Sequence, residues 1–218
     1  MKEKFMNGLL TLAVVLMMQL LWWFGIHGPN VMSAVTTPFM TKMMAQNLEL
    51  YQAGEGITAS GVFYTAGSKY SIIANPFASG WFSSTGSGIT MGLIVAIMLF
   101  SKRDDFKAIA KLAIPCGIFN INEPIIFGIP MVMNPMFAVP FFLAPVACVC
   151  CGYLVQSLGL CPLFVIDVPW TTLVGLFGFL ASSGNIMGAI WQAVIILGVS
   201  TLIYTPFVIA ANRQTEEA

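Results

Sequence analysis

Charge is scarce in this chain: Asp, Glu, Lys and Arg make up 8% of its 218 residues, against about 25% in a soluble domain. The nine acidic and nine basic side chains cancel, so neither a nucleic acid nor an acidic partner is implied. Histidine is scarcer still. His27 is the only one, and it stands far from Cys116, Cys148, Cys150, Cys151 and Cys161, all in apolar sequence. Nothing there has the paired Cys/His spacing of a metal site. The cysteines read as small buried hydrophobes, and no metal or cofactor is expected. The glycine-rich stretch Thr85-Gly86-Ser87-Gly88-Ile89-Thr90 is not followed by the Lys-Ser/Thr of a Walker loop. It reads as a tight entry into a helix rather than a phosphate cradle. No cleavable leader is expected either, because Phe5–Ile26 exceeds the ~7–15 residues of an h-region and has no small-residue cleavage site. A simple internal repeat is also missing.

What fills the sequence instead is apolar. Hydrophobic residues reach 58% and the mean hydropathy is +0.87. The expected fold class is an all-α integral membrane protein whose transmembrane helices are joined by re-entrant or broken helical hairpins. Uncharged runs cover Phe5–Thr41 and Pro124–Ile166, and a helical span needs ~20 such residues. Spans are expected near 5–26, 86–101, 137–160 and 186–211, with broken elements near 115–135 and 162–182. Met40–Tyr51 reads as an amphipathic interfacial helix, followed by a loop in which Glu49 and Glu55 are solvated. Residues 1–4 and 212–218 form polar termini. Lys102, Arg103, Lys107 and Lys111 crowd into ten positions, which marks that loop, and with Arg213 the C-terminus, as cytoplasmic.

The stretch Cys116–Pro145 departs most from a plain span. Pro124, Pro130, Pro135, Pro140 and Pro145 recur along it, and each removes a backbone donor and clashes with the carbonyl four residues back. Irregular backbone at membrane depth is tolerated only inside protein or along a water-filled cavity. Within this stretch lies one carboxylate, Glu123, flanked by Asn120 and Asn122. A carboxylate in such sequence is costly, by ~2.5–3.5 kcal/mol on insertion scales for related acids, and marks a functional site by default. A second, Asp167, reads either as the cap of a helix begun at Pro169 or as a ligand contact. Trp22 and Trp23, at the end of the first span, read as an interfacial belt or as a stacking face for a sugar ring. His27 reads as a loop or cap histidine, or as a ligand in a backbone loosened by Gly25, Gly28 and Pro29.

Asn120-Ile121-Asn122-Glu123-Pro124-Ile125-Ile126-Phe127-Gly128, followed by Asn134-Pro135, resembles the signature of the membrane IIC components of bacterial phosphotransferase sugar transporters, of the lactose/cellobiose/diacetylchitobiose type. Leu21-Trp22-Trp23-Phe24-Gly25-Ile26-His27-Gly28 is similar to that family's histidine motif. Val168-Pro169-Trp170-Thr171-Thr172 resembles its tryptophan segment, with Leu173 where the family usually has proline. Tyr204-Thr205-Pro206-Phe207 resembles its closing motif. The blocks fall in family order, and the resemblance is to the C-terminal, substrate-binding half of a chain roughly twice as long.

The resemblance implies a multi-pass permease in a bacterial plasma membrane. It would carry a β-linked disaccharide inward for phosphorylation by a cytoplasmic IIB protein, itself charged by IIA. No self-contained enzyme is implied, only the membrane part of a phosphotransferase complex. Glu123 would bind the hydroxyl to be phosphorylated and act as its general base. His27, Trp22, Trp23, Asn120, Asn122 and Trp170 would bind the sugar. The N-terminal half of the permease, or a homodimer, would complete the molecule in the lipid bilayer. The alternatives are a cation-coupled sugar transporter with Glu123 as the proton carrier, a non-transporting remnant of a split gene, and an intramembrane enzyme, which lacks a nucleophile motif.

Overall fold

The structure, a computed structural model, describes residues 2–58, 61–65 and 67–216, with side chains from residue 8 to residue 213 within those ranges. The outermost parts of both expected polar termini, Met1 and residues 217–218, lie outside the described residues. Helix dominates, at 68% of the chain, and among the described residues the strand content is one pair of two-residue strands.

Helix α1 (Lys2–Trp23) stops in a Schellman turn: Gly25, at φ +80°, lets Gly25 N–H reach Trp22 O and Ile26 N–H reach Leu21 O. Helix α2 (Gly28–Gln52) starts three residues later, with His27 as its N-cap and Pro29 in its first turn. It runs 25 residues, through Pro38. This overturns the expected short helix at Met40–Tyr51: the Pro29 start and the helix-forming Met and Ala residues carry the helix upstream of the charged positions. After α2 come the strands β1 (Ile57–Thr58) and β2 (Gly61–Val62), paired antiparallel with Ile57 opposite Val62. Glu55 is ion-paired to Lys69 at 2.8 Å on the surface.

Helix α3 (Asn75–Trp81) is short and its aromatic side chains are buried. A 3₁₀ turn at Ser87–Ile89 then leads into α4 (Met91–Phe100). Sequence alone expected a full span over 86–101; the continuous α-helix is ten residues, because the backbone before it is spent on a turn. Helix α5 (Asp104–Ile118), α6 (Glu123–Gly128) and α7 (Pro135–Ser157) follow. The broken stretch ends at Pro135, which sits in the first turn of α7. From there the helix continues through Pro140 and Pro145. Beyond α7 residues 163–169 form no regular element. The segment is held by Leu163 N–H to Val62 O (2.7 Å) and Val165 N–H to Ala181 O (2.8 Å). No helix starts at Pro169: a turn closed by Thr172 N–H to Pro169 O (3.0 Å) follows it and the next helix begins at Leu176, so Asp167 caps no helix. Helix α8 (Leu176–Ala181) is short. Helix α9 (Ile186–Ala193) passes through a π-turn at Val194–Val199 into α10 (Ser200–Glu216).

Among the described residues, two helical stretches are long and apolar enough to cross a membrane, Pro135–Ser157 and Ile186–Arg213. They coincide with the two C-terminal spans expected from sequence. Two buried clusters hold the helices together. One gathers Val15, Phe77, Trp81, Phe164 and Phe177, with Trp81 stacked on Phe164 at 5.1 Å between ring centres. The other gathers Trp22, Leu93, Ile97, Ile125, Phe137, Phe141 and Tyr204 between α4, α6, α7 and α10. In an apolar medium such contacts act through van der Waals packing rather than expulsion of water.

Candidate functional site

Between these clusters opens a cavity of about 720 Å³, within the ~300–1,000 Å³ range of small-molecule sites. Its walls include Met18, Gln19 and Trp22 from α1, His27 and Asn30 at the start of α2, and Ser79 and Phe82 from α3 and its end. The glycine-rich turn adds Gly86 and Ser87, the α5–α6 break adds Asn120, Asn122 and Glu123, and Trp170 closes the set. Residues as far apart in sequence as Met18 and Trp170 thus converge on one hollow.

The turn at 85–89 is the strained part. Thr85, Gly86, Gly88 and Ile89 all have positive φ, at 61°, 78°, 78° and 51°, conformations costing about 1–3 kcal/mol for a residue with a side chain. Buried side chains offset that cost by bonding the turn's peptide groups. Gln19 Oε1 accepts from Gly88 N–H at 2.9 Å, and the Tyr204 hydroxyl donates to Gly88 O at 2.7 Å. Asn120 Oδ1 accepts from Thr85 N–H at 2.7 Å, and Asn122 Nδ2 donates to Ser87 O at 2.6 Å.

Asn120 does more. Its own backbone is left-handed, at φ +65°, which asparagine tolerates better than most residues. Its Nδ2 donates to Trp170 O and to Thr172 O. One amide therefore ties the glycine-rich turn, the α5–α6 break and the tryptophan segment together. With both N–H groups and the oxygen engaged, the amide works as a latch. Asn122 is similarly turned toward Ser87. Both asparagines line the cavity, but their hydrogen bonds go to the protein backbone.

Glu123 is the first residue of α6 and half-buried. Its carboxylate lines the cavity and has no hydrogen bond or ion pair among the described residues. His27 lines the same cavity. Its Nδ1 accepts from Asn30 N–H at 3.3 Å, so in the neutral imidazole Nε2 carries the proton and is free to donate. Trp22 packs against the His27 ring at 4.8 Å between centres and is nearly buried. Trp170 is 59% exposed. The hollow thus offers an acceptor, a donor and two indole surfaces.

Trp23 is not among the lining residues. It packs on Phe24 and Phe142, and its carbonyl accepts from Met133 N–H at 3.1 Å. Successive helix residues point about 100° apart, and here that turn carries Trp23 away from the hollow that Trp22 lines. Asp167 lies next door. Its Oδ1 accepts from Asn75 Nδ2 at 3.0 Å, and it lines a second recess. Gln19 and Gln192 were not anticipated. Gln192 Oε1 accepts from Gly175 and Gly178 N–H, and Nε2 donates to Gly80 O and Ser84 Oγ, bracing α3 and α8 against α9. A lone amide in an apolar run was the available signal.

On the α4–α5 loop, Arg103 pairs with Asp105 at 2.6 Å and covers the Phe106 ring. The hydrogen bond from Arg103 holds the Asp105 carboxyl below its usual range.

The family model described as Phosphotransferase system, EIIC matches residues 4–145. An oligo-beta-mannoside-specific EIIC component of Bacillus subtilis is 36% identical over 205 residues, which is 93% of this chain and 43% of that one. A cellobiose-specific EIIC component of Lactococcus lactis is 36% identical over 94% of this chain and 43% of its own. A lactose-specific EIICB component of Staphylococcus aureus is 33% identical over 86% and 31%. The crystal structure of the transporter ChbC, the IIC component of an N,N'-diacetylchitobiose-specific phosphotransferase system, superposes with a TM-score of 0.82. It is 33% identical and is matched over 94% of this chain and 44% of its own. The chain spans less than half the length of the curated relatives it matches.

Proposed function

The chain belongs to the phosphotransferase system EIIC family, and from that premise we propose that it is the sugar-binding part of a membrane permease. The permease takes a β-linked disaccharide of the cellobiose, lactose or chitobiose class inward and presents it for phosphorylation. The observation that carries this reading is the shared cavity: an unpaired carboxylate, Glu123, a histidine with a free donor, His27, and the indoles of Trp22 and Trp170. Sugar rings need just these two kinds of surface, apolar faces for C–H groups and polar atoms for hydroxyls. Buried polar groups matched to a hydroxyl reject ligands that lack it. The names of the relatives support a short sugar as substrate, and the EIICB name of one supports a IIB partner.

In the proposed step a phosphocysteine on IIB donates phosphate to a sugar hydroxyl. The O–P bond forms, the S–P bond breaks with thiolate leaving, and Glu123 takes the hydroxyl proton as general base. His27 donates to a neighbouring hydroxyl, Trp22 and Trp170 hold the ring, and Asn120 and Asn122 keep Glu123 in place. Trp23 is a packing residue in this scheme. IIA recharges IIB. The stretches around Glu123 and Trp170 are re-entrant elements within the bilayer of a bacterial plasma membrane, and the remaining half of the permease or a second copy completes the assembly. Sugar uptake by membranes carrying the permease tests the scheme: it should require the soluble phosphotransferase proteins. Uptake that runs without them and follows a cation gradient replaces this scheme with a coupled transporter in which Glu123 carries the proton.

Two further outcomes follow. Trp170→Ala removes an exposed indole but leaves the Trp170 carbonyl that Asn120 holds. Sugar binding should weaken by about 1–3 kcal/mol, the scale for burying one large apolar side chain, as read by titration calorimetry. Asp104→Cys, at an exposed position beside Lys102 and Arg103, should react with an impermeant maleimide only from the cytoplasmic face. Labelling from outside alone inverts the orientation.

A further inference from the structure

The sugar cavity does not end at Trp170. Beside that residue lies a second recess of about 330 Å³, lined by Asn75, Ser79, Asp167, Val168, Pro169 and Trp170. Ser79 and Trp170 belong to both hollows, so the two are contiguous, and the exposed tryptophan is their common wall. The recess has its own polar equipment. Asp167 is exposed, and one carboxylate oxygen accepts from Asn75 Nδ2 at 3.0 Å. That bond fixes the carboxylate and leaves its second oxygen, together with Asn75 Oδ1, as acceptors. Among the described residues Asp167 is not neutralised by an ion pair, nor does it belong to a cluster that could hold a metal ion. Its backbone is steadied as well, since Val165 and Ile166 N–H both bond Ala181 O.

Fixed acceptors beside an aromatic wall suit a group that brings hydroxyl donors and an apolar ring face. We propose that this recess is an extension subsite. It receives a third sugar residue of a linear oligosaccharide whose first two residues occupy the main cavity, and Asp167 accepts a hydroxyl hydrogen bond from that third residue. The inference rests on the sugar-site reading above and adds a length preference to it. A charged acceptor is favoured here because it strengthens the bond over a neutral one.

The test compares two lengths of one sugar on the purified full-length permease, by titration calorimetry. The probes are cellobiose with cellotriose, and N,N'-diacetylchitobiose with N,N',N''-triacetylchitotriose, using whichever pair has a binding disaccharide. In the unaltered protein the trisaccharide should bind at least as tightly as the disaccharide. Asp167→Ala should weaken the trisaccharide about tenfold, the loss of one hydrogen bond to a charged group, and leave the disaccharide within about twofold of its value. Asp167→Asn, which keeps the shape and a partner for Asn75, should move the trisaccharide in the same direction by less, and it serves if the alanine variant does not fold. A trisaccharide affinity indifferent to both changes, or an equal loss for both lengths, overturns the subsite while the disaccharide site stands. Binding of no disaccharide by the unaltered protein overturns both readings.

Discussion

Glu123→Gln is expected to abolish phosphorylation-linked sugar uptake while the protein still reaches the membrane in normal amount. The substitution keeps the shape of the side chain and removes its charge and its basicity. Because the carboxylate has no partner among the described residues, no protein group is stranded by the change. Insertion should if anything become easier, since a neutral amide costs less than a carboxylate in apolar surroundings. The chemical step loses its base, and a positioned general base is typically worth about 10²–10⁴-fold in rate. Binding and phosphorylation should be measured separately on the full-length permease. Near-normal binding with phosphorylation lost assigns Glu123 a catalytic role. Loss of both makes it chiefly a ligand. Unchanged uptake and phosphorylation would falsify the central assignment.

Gly86→Ala should be nearly as severe for a different reason. Gly86 has φ +78° and ψ −179°, a region essentially confined to glycine and costing of order 1–3 kcal/mol for other residues. A Cβ there would also lie 2.3 Å from the Asn122 side-chain carbon. That amide cannot swing aside freely, because it donates to Ser87 O. Overpacking of this kind adds roughly another 1–3 kcal/mol. Relieving the clash pushes Asn122 and so its neighbour Glu123. The expected result is a protein with reduced thermal stability in detergent and sugar affinity lowered with it. Gly88, 2 residues away, makes a poor control because it faces Phe141; Gly198, with open space around it, should accept alanine silently. Wild-type affinity in Gly86→Ala would detach the turn from the site.

Why some of this was legible in the sequence, and some not, follows from what stands out in apolar surroundings. Glu123 and His27 are the sort of residue that does, and the structure sets them on one cavity. The proline spacing announced broken helices up to Pro135, and the span expected over 137–160 falls largely on α7, which accommodates Pro140 and Pro145. Helix α2 was missed over its first half, where mixed polar and apolar residues lack a clear period. Asp167-Val168-Pro169-Trp170 had the composition of a helix start, yet just upstream the N–H groups of Leu163, Val165 and Ile166 are taken by Val62 and Ala181, and such long-range pairings leave no local mark. The same holds for Asn120: nothing in its neighbours says that its amide reaches Trp170 and Thr172. Trp22 and Trp23 look equivalent as letters, but the structure sets Trp22 on the cavity and Trp23 against Phe24 and Phe142. Gln19 and Gln192 carry no charge, so they pass unnoticed in an apolar run although each braces a backbone turn.

The Asn120 latch also sets an order of events in biosynthesis. Its three partners are made at different times: Thr85 35 residues earlier, Trp170 and Thr172 50 and 52 residues later. While the ribosome is still between them, the side chain can satisfy Thr85 but has no carbonyl to receive its two hydrogens. The nascent cavity is therefore an open, under-bonded hollow until the tryptophan segment has been made. Through one amide, closure of the cavity waits on synthesis of the tryptophan segment.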